Sequence, residues 1–393
     1  MNRNLWLLAL AQGLFLTNNV TFIAINGLVG LALAPVAWMA TLPVVGYVVG
    51  GALSTGLVAR TQARFGRKVS FQLGLLVALV TAALGAWAVL DKSFWMLVSA
   101  TVVAGYYSAN AQLYRFAAVE LCTVEYREKA VSLVLAGGLM GAVIGPNLAM
   151  RTKSLLAVDF AGAYVALVVV ALLSLLKFSF ILFAPLPPHN PAASPGRSIG
   201  SLLRQPVFFI ALLTAALGYG VMNLLMAAVP LAMQTCGLPF SSTAWVLEWH
   251  VIGMFAPGFV TGSLIKRFGA LPVMGVGVLL NLACIGVALT GQEPTQFLVA
   301  LFMLGVGWNF LFTGSTTLSM QGYLPQEKNR AQALINFCVF AIMALTSFAS
   351  GALVTTQGWG WLNIGSILPV LLMGAALLWL YLRQNAASRK LAA

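Results

Sequence analysis

Two short motifs in the second half of the chain have residue types that could bind a soft metal ion. Met222 and Met226 are four residues apart, and His250 and Met254 repeat that spacing. On a helix, such residues lie about 40° apart around the axis and about 6 Å apart along it, so each pair shares one face. Thioether sulfur is a soft, neutral ligand that favours Cu(I), and imidazole also binds copper. The two pairs therefore predict a copper site.

Other metals match this set of ligands less well. Magnesium and calcium prefer several oxygen ligands, usually including carboxylates, and neither motif contains a carboxylate. Zinc usually requires thiolates, or more imidazoles and carboxylates. Neutral ligands also hold a monovalent ion without fixing it against a buried anion. We therefore expect copper to be a transported substrate and not a resident catalytic group.

The histidine, more than the methionines, makes this prediction specific. With 14 methionines in 393 residues, a pair spaced four apart is common by chance, and methionine often fills gaps in a hydrophobic core. The chain has only two histidines, and a histidine near the middle of a membrane is costly unless it is used. His250 therefore favours the metal interpretation over ordinary core packing.

The elements that must position these residues are membrane helices. Of the residues 61% are hydrophobic and 7% are charged, with a mean hydropathy of +0.95, whereas a soluble domain has about a quarter charged residues. Apolar runs long enough to cross a hydrocarbon core of about 30 Å recur from end to end. We predict an all-α membrane protein with twelve transmembrane segments, near 5–33, 36–59, 70–90, 94–119, 130–150, 157–184, 207–235, 241–265, 271–291, 295–322, 331–355 and 360–382.

The positions of the cations predict the orientation in the membrane. The chain has a net charge of +13, and most of its basic residues lie in the even-numbered loops and at the two termini. The odd-numbered loops hold only Lys92, Arg151 and Lys153. Since cytoplasmic loops are enriched in Lys and Arg, both termini are expected in the cytoplasm. This distribution indicates a lipid bilayer as the partner, and not nucleic acid.

A polar break and an internal repeat divide the segments into six and six. Residues 185–206 are rich in Pro, Gly and Ser, which is typical of a linker. Arg64-Phe65-Gly66 follows segment 2, and Arg267-Phe268-Gly269 follows segment 8. The same loop after corresponding segments of the two sets indicates two similar halves. We predict a six-helix bundle at 1–184, a cytoplasmic linker at 185–206 and a second bundle at 207–393 that carries the metal motifs.

This organisation resembles the major facilitator superfamily. The twelve segments, the central linker and the loop Ala63–Lys68 carry the resemblance, although Ala63 and Lys266 stand where that family usually has an acidic residue. The resemblance implies a transporter that exposes a midplane site first to one side of the membrane and then to the other. Gly141-x-x-x-Gly145-Pro146 is similar to the family's antiporter motif, but its small residues also fit close helix packing.

The two metal motifs are similar to those of the CcoA-type copper importers within that superfamily. This resemblance implies that Met222, Met226, His250 and Met254 bind copper during uptake across the bacterial inner membrane. It further implies that the copper supplies the assembly of cbb3-type cytochrome c oxidase, with cytoplasmic copper chaperones or exporters as candidate partners. Glu248 points about 200° away from His250, so it is not expected to be a ligand, but either residue could carry a coupling proton.

The remaining polar and sulfur groups leave their roles open. The scattered cysteines predict neither a disulfide framework nor a zinc site, and they are Cys122, Cys236, Cys284 and Cys338. His189, in the linker, is expected to be solvated. Polar residues of segments 1 and 4 are expected either to face a water-filled cavity or to hydrogen-bond between helices; they include Thr17, Asn18, Thr21, Asn26, Tyr106, Tyr107 and Asn110.

Three other functions compete with copper import. One is a proton-coupled exporter of small organic compounds, which the Gly141 motif and the aromatic polar residues favour. The second is a membrane assembly factor that holds copper for an oxidase without transporting it. The third is an intramembrane enzyme, and the sequence offers no nucleophile–base pair or carboxylate dyad to support it. A nucleotide-binding loop is absent from the sequence, so direct ATP coupling is not expected.

Overall fold

The computed structural model describes residues 3–36, 39, 42–183 and 196–392. Within these ranges the regular secondary structure is entirely helical, so the predicted all-α class is confirmed. Nine helical stretches of the described chain are long and apolar enough to cross a membrane. The chain forms two compact units.

The first unit comprises the described part of Met1–Ser194 together with Gln332–Ala344. Its helices are α1 (Arg3–Leu33), α2 (Leu42–Leu90), α3 (Phe94–Ala111), α4 (Tyr114–Glu120), α5 (Arg127–Ala136), α6 (Leu139–Thr152) and α7 (Ala161–Ser179). Buried aromatic and aliphatic side chains fill the spaces between these helices, among them Phe71, Tyr164 and Phe178. The segment Gln332–Ala344 belongs to a helix that continues into the second unit.

The second unit comprises Pro195–Ala331 and Leu345–Ala393. Its helices are α8 (Ile199–Leu203), α9 (Pro206–Thr235), α10 (Phe240–Phe255), α11 (Gly258–Phe268), α12 (Ala270–Ala288), α13 (Pro294–Ser319), the flanking parts of α14 (Lys328–Thr356) and α15 (Gly358–Ala392). Of the predicted linker, residues 185–195 lie outside the described residues. Helix α13 is central for the candidate site because both α9 and α10 pack against it.

The predicted twelve crossings stay a prediction, because some helices are joined and others broken. Helix α2 has 49 residues and would be about 74 Å long if straight, more than twice the hydrocarbon thickness. It is interrupted at Gly66, where the two predicted segments meet. Predicted segment 4 is divided between α3 and α4, and segment 8 between α10 and α11. These joined and broken helices account for the difference between nine and twelve.

The two Arg-Phe-Gly loops have the same local conformation. Gly66 has φ 81° and ψ 173°, and Gly269 has φ 87° and ψ 163°. An L side chain rarely adopts such angles, so glycine permits the chain to turn from one helix into the next. In each copy the arginine lies over the ring of the phenylalanine that follows it. The distance from Cζ to the ring centroid is 5.2 Å for Arg64 and 5.1 Å for Arg267. The internal repeat is therefore present in the structure as well as in the sequence.

The Gly141 motif packs α6 against α1. A side chain on Gly145 would meet Val20 at 2.9 Å, and one on Gly141 would overlap Leu16. Thr21 also donates a hydrogen bond to the Gly145 carbonyl oxygen at 3.0 Å. Small residues permit this approach of two helix backbones inside a membrane. The motif thus has a packing role and does not indicate a transport direction.

Candidate functional site

His250 is held against α13 by its own ring. Its side chain is 0% exposed, and its Nδ1 lies 2.7 Å from the carbonyl oxygen of Leu301. A carbonyl oxygen only accepts, so Nδ1 must carry the proton and donate. That tautomer leaves a lone pair on Nε2, and Nε2 has no hydrogen-bond partner among the described residues. Nδ1 therefore binds α13, and Nε2 keeps a lone pair that could bind a ligand.

Met254 contributes its backbone to the same contact between helices. Its carbonyl oxygen accepts a hydrogen bond from Nδ2 of Asn309 at 2.6 Å, and Asn309 accepts one from Thr261 at 2.7 Å. Asn309 is fully buried, so these bonds satisfy its amide in an apolar environment. They fasten α13 to both sides of the break between α10 and α11. The Met254 side chain is 6% exposed.

Helix α9 runs antiparallel to α13. Thr214 meets Ser315 through a hydrogen bond of 2.9 Å between their hydroxyl oxygens. Five residues later on α9, Tyr219 meets Trp308, seven residues earlier on α13, with ring centroids 5.4 Å apart. The numbering rises on one helix as it falls on the other. Met222 follows Tyr219 on nearly the same face and is 2% exposed.

These contacts place Met226 and His250 at a common depth. Seven residues of helix span about 10 Å. Met226 lies that distance from Tyr219 along α9, and Leu301 lies that distance from Trp308 along α13, in the same direction because the helices are antiparallel. The Leu301 carbonyl oxygen is the partner of His250. The packing on α13 therefore sets Met226 and His250 at a similar depth.

The four predicted copper ligands lie on two helices, α9 and α10. Both motifs pack on α13, and Nε2 of His250 makes no hydrogen bond to a methionine sulfur or to any other described group. Among the described residues, no group of three or more His, Cys, Asp or Glu could hold a metal ion. The predicted copper ligands Met222, Met226, His250 and Met254 stay a prediction.

An aromatic cluster that the sequence does not predict lies beside these motifs. We call it the Trp308 cluster; its members are Tyr219, Phe255, Trp308 and Phe312. Trp308 stacks on Phe312 with centroids 4.8 Å apart, while Tyr219 and Phe255 approach it edge-on at 5.4 and 5.7 Å. The spacing of Trp308 and Phe312 could have indicated one aromatic face on α13. No sequence pattern connects them to Tyr219 on α9 or Phe255 on α10.

The indole nitrogen of Trp308 is the polar group of this cluster. The side chain is 2% exposed, and Nε1 has no hydrogen-bond partner among the described residues. An indole N–H can only donate, so it could bind an acceptor on a ligand. Tyr219 is partly exposed, whereas Phe255 and Phe312 are 3% and 2% exposed. The cluster is therefore most open on the side of α9.

The second unit has an almost uncharged interior. Glu327 is the single charged residue among the buried described residues of this unit. Its carboxylate accepts hydrogen bonds from Nε and Nη2 of Arg197 at 2.8 and 2.6 Å. These side-chain hydrogen bonds raise the pKa of the Arg197 guanidinium above its usual value. Around the Trp308 cluster, neutral ligands are therefore favoured over anions, since a buried anion requires a paired cation.

The polar residues of α1 hydrogen-bond between helices of the first unit. Thr21 donates to the Gly145 carbonyl, as described above, and Asn26 accepts a hydrogen bond from the Tyr164 hydroxyl at 2.9 Å. Asn18 instead lines a cavity of about 10 Å³ together with Tyr47, Thr81 and Tyr107, among others. A cavity of that size admits about one water molecule. Thr21 and Asn26 thus hydrogen-bond to other helices, whereas Asn18 borders a small cavity.

Arg67 pairs with Glu120, an acidic residue outside the loop in which Ala63 replaces the usual acid. Its Nη2 lies 3.0 Å from Oε1 of Glu120 and 2.8 Å from Oε1 of Gln332, and its Nη1 donates to Gln62. Its side chain is 5% exposed, against 29% for Glu120. Four residues along α14 from Gln332, Asn336 accepts a hydrogen bond from Arg115 at 3.2 Å. The arginines at this end of the first unit therefore bind one carboxylate and several side-chain amides.

The remaining candidates are not brought to the site. The thiol of Cys236 donates a hydrogen bond to Oε1 of Gln292 at 2.9 Å. This cysteine lies at the end of α9 away from the linker. Cys284 is buried in α12, and Glu248 is partly exposed on α10. His189 lies outside the described residues. The role of Glu248 as a proton carrier stays a prediction, and the roles of the cysteines stay open.

The described helices are long and apolar enough to cross a membrane several times. The Major Facilitator Superfamily model matches residues 5–248 and 211–393. The chain therefore belongs to the Major Facilitator Superfamily and is a multi-pass membrane transporter, not an enzyme.

Relatives and solved structures agree with this assignment. The chain is 35% identical over 364 residues to the riboflavin transporter RfnT of Brucella anthropi, covering 92% of this chain and 91% of that protein. Two crystal structures of outward-facing transporters share the fold at 15% identity and cover 96% of this chain. They are FucP, with a TM-score of 0.76 and 98% of its chain covered, and a bacterial homologue of the iron transporter ferroportin, with 0.75 and 99%. The narrower resemblance to CcoA-type copper importers is not confirmed.

Proposed function

We propose that this protein transports a neutral, planar aromatic heterocycle of the riboflavin class across the bacterial inner membrane. The observation that carries the proposal is the 35% identity to RfnT, which extends over 92% of this chain. A likeness of that extent covers both bundles and hence the residues that line their interiors. The fold alone would not indicate a substrate, since one fold serves many functions.

The chemistry of the second unit supports a neutral aromatic substrate. Small-molecule sites are mostly apolar and aromatic, with a few polar groups that set the orientation. The Trp308 cluster supplies the rings, and the Trp308 N–H supplies a donor. No buried described residue of this unit carries an unpaired charge near the cluster. An isoalloxazine ring, which is planar, uncharged and rich in hydrogen-bond acceptors, suits these groups.

The test is uptake of radiolabelled riboflavin by a bacterial strain that lacks riboflavin synthesis and its own riboflavin transporter. Cells that express the protein should accumulate the label well above cells with an empty vector. Riboflavin 5′-phosphate should compete poorly, because its phosphate would have to enter an uncharged interior. Accumulation equal to that of the empty-vector cells would rule out import of riboflavin, and faster loss of label from preloaded cells would then indicate export.

Import of Cu(I) is the second candidate, and one observation favours it. Nε2 of His250 is buried, has no described partner and lies at the depth of Met226. Copper import would use Met222, Met226, His250 and Met254 as ligands. The imported copper would then supply the assembly of cbb3-type oxidase, with cytoplasmic copper chaperones or exporters as partners. A copper-holding assembly factor would bind the ion without flux, and an exporter of organic compounds would reverse the direction of riboflavin movement.

Uptake of radioactive copper separates this candidate from the first. Wild-type cells should be compared with cells that carry His250→Ala or Met226→Ala, with Met150→Ala as the control, since Met150 is 72% exposed. Copper import predicts that the two site variants lose uptake and that the control retains it. Equal uptake by all four proteins would exclude the copper site.

A further inference from the structure

Three helices of the second unit meet at one indole ring. Tyr219 comes from α9, Phe255 from α10, and Trp308 with Phe312 from α13. Phe255 is the last residue of α10, at the break before α11. Because the rings belong to three separate helices, a movement of any one helix changes the shape of the cluster. The cluster is thus suited to a part of a transporter that opens and closes.

The buried N–H of Trp308 indicates a ligand beyond ordinary packing. Burial of a donor without an acceptor costs free energy, and tryptophan in a core usually finds a partner for this group. Among the described residues, Nε1 of Trp308 has none. A core that needed only hydrophobic volume could place phenylalanine here at no such cost. An acceptor on a transported molecule would recover the lost hydrogen bond.

Access is possible from the side of α9. Tyr219 is partly exposed, and its ring lies edge-to-face with both Trp308 and Phe312, with ring centroids 5.4 and 5.2 Å apart. Movement of Tyr219 would uncover one side of the indole, while the stacking of Trp308 on Phe312 is a contact within α13 that does not involve the tyrosine. A planar ligand would then take the place of the tyrosine edge against Trp308. Stacking on aromatic side chains is favourable for any flat heterocycle.

We infer that the Trp308 cluster is the recognition site for the ring of the transported heterocycle, with the Trp308 N–H donating to a carbonyl oxygen or ring nitrogen at the edge of that ring. This inference rests on the proposed function and adds to it the residues that select the substrate. The uncharged surroundings exclude carboxylate and phosphate groups from the position beside the indole. Trp308 selects for a hydrogen-bond acceptor, and Phe312 holds the indole in place by stacking.

Riboflavin binding to the purified full-length protein in detergent tests this inference. The dissociation constant is measured from the quenching of riboflavin fluorescence. Trp308→Phe keeps a ring but removes the donor, so we expect about tenfold weaker binding. Trp308→Leu also removes the stacking surface, so we expect about a hundredfold loss. Tyr219→Leu is a further variant at the exposed edge of the cluster, with an expected loss of a few-fold.

The matched control is Trp359→Phe. Trp359 is a buried tryptophan of the same unit, 4% exposed, that packs on Phe297 with centroids 5.2 Å apart. Its replacement should leave the dissociation constant within about twofold of wild type. Thermal unfolding without ligand is recorded for each variant, so that a loss of binding is separated from a loss of folding.

The outcomes distinguish this inference from the proposed function. Weaker binding by Trp308→Phe with an unchanged melting temperature is the expected result. Wild-type affinity in Trp308→Phe, or in Tyr219→Leu if the tryptophan variants do not fold, would overturn the recognition site and leave the proposed substrate intact. No riboflavin binding by the wild-type protein would overturn both.

Discussion

The imidazole of His250 donates a hydrogen bond from Nδ1 to the carbonyl oxygen of Leu301, 2.7 Å away on the next-but-two helix of the chain. This bond joins α10 to α13 inside the second unit. It gives the histidine a structural role that requires no metal, and it also fixes the tautomer in which Nε2 could bind one. The same residue is therefore consistent with both candidate functions.

Replacement of His250 should destabilise the second unit. His250→Phe keeps a ring of similar size but removes the donor, so we expect a loss of about 1 kcal/mol and a lower melting temperature. The measurement is thermal unfolding of the purified protein in detergent. An unchanged melting temperature would show that the bond to Leu301 does not stabilise the contact between α10 and α13.

The close contact between α10 and α13 should not tolerate a side chain at Gly305. A Cβ there would overlap the carbonyl group of His250 and approach the Met254 nitrogen at 2.9 Å, so Gly305→Ala should cost about 1–3 kcal/mol through overpacking. Gly275→Ala on α12 is the matched control, since nothing lies within 4 Å of its Cβ position. The control should be neutral or stabilising by about 1 kcal/mol. Equal melting temperatures for the two variants would contradict the described packing.

More of the fold than of the candidate site could be predicted from the sequence. Apolar runs and cation positions indicate membrane helices, and the repeated Arg-Phe-Gly loops indicate two similar halves, because these signals are local. The partner of His250 is 51 residues away, and it depends on how α10 is rotated about its axis. Apolar residues on all sides of a membrane helix do not specify that rotation.

The Trp308 cluster likewise depends on contacts between helices that the sequence does not specify. Trp308 and Phe312 are one turn apart, so their shared face follows from helix geometry. Tyr219 and Phe255 reach them only through the packing of three helices, which no spacing in the sequence reveals. The methionine pair was conspicuous in the sequence because of its regular spacing, whereas the aromatic cluster was not.

The ion pair between Arg67 and Glu120 should respond unequally to the removal of each partner. Arg67 is 5% exposed and Glu120 is 29% exposed, so water can hydrate a glutamate left alone but not an arginine. We expect Glu120→Gln to cost about 2–3 kcal/mol and Arg67→Gln about 1 kcal/mol. Arg64→Gln, at an exposed position of the same loop, is the control. The reverse order of the melting temperatures would refute this explanation.

Methionine replacement separates copper from a flavin as the substrate. Met222→Leu and Met226→Leu conserve volume but remove the sulfur that a copper ion would need. We expect riboflavin affinity to stay within about twofold of wild type in both variants. A large loss of riboflavin affinity in Met226→Leu would indicate that this side chain contacts the substrate directly. Loss of copper uptake with riboflavin affinity intact would support two separate substrates.

Transport of radiolabelled riboflavin into proteoliposomes that contain only this protein tests the central claim most directly. The vesicles should accumulate riboflavin faster than protein-free vesicles, an excess of unlabelled riboflavin should suppress the accumulation, and riboflavin 5′-phosphate should suppress it far less. Identical accumulation with and without the protein, over the full range of imposed proton gradients, would contradict the claim that this chain transports riboflavin-class compounds.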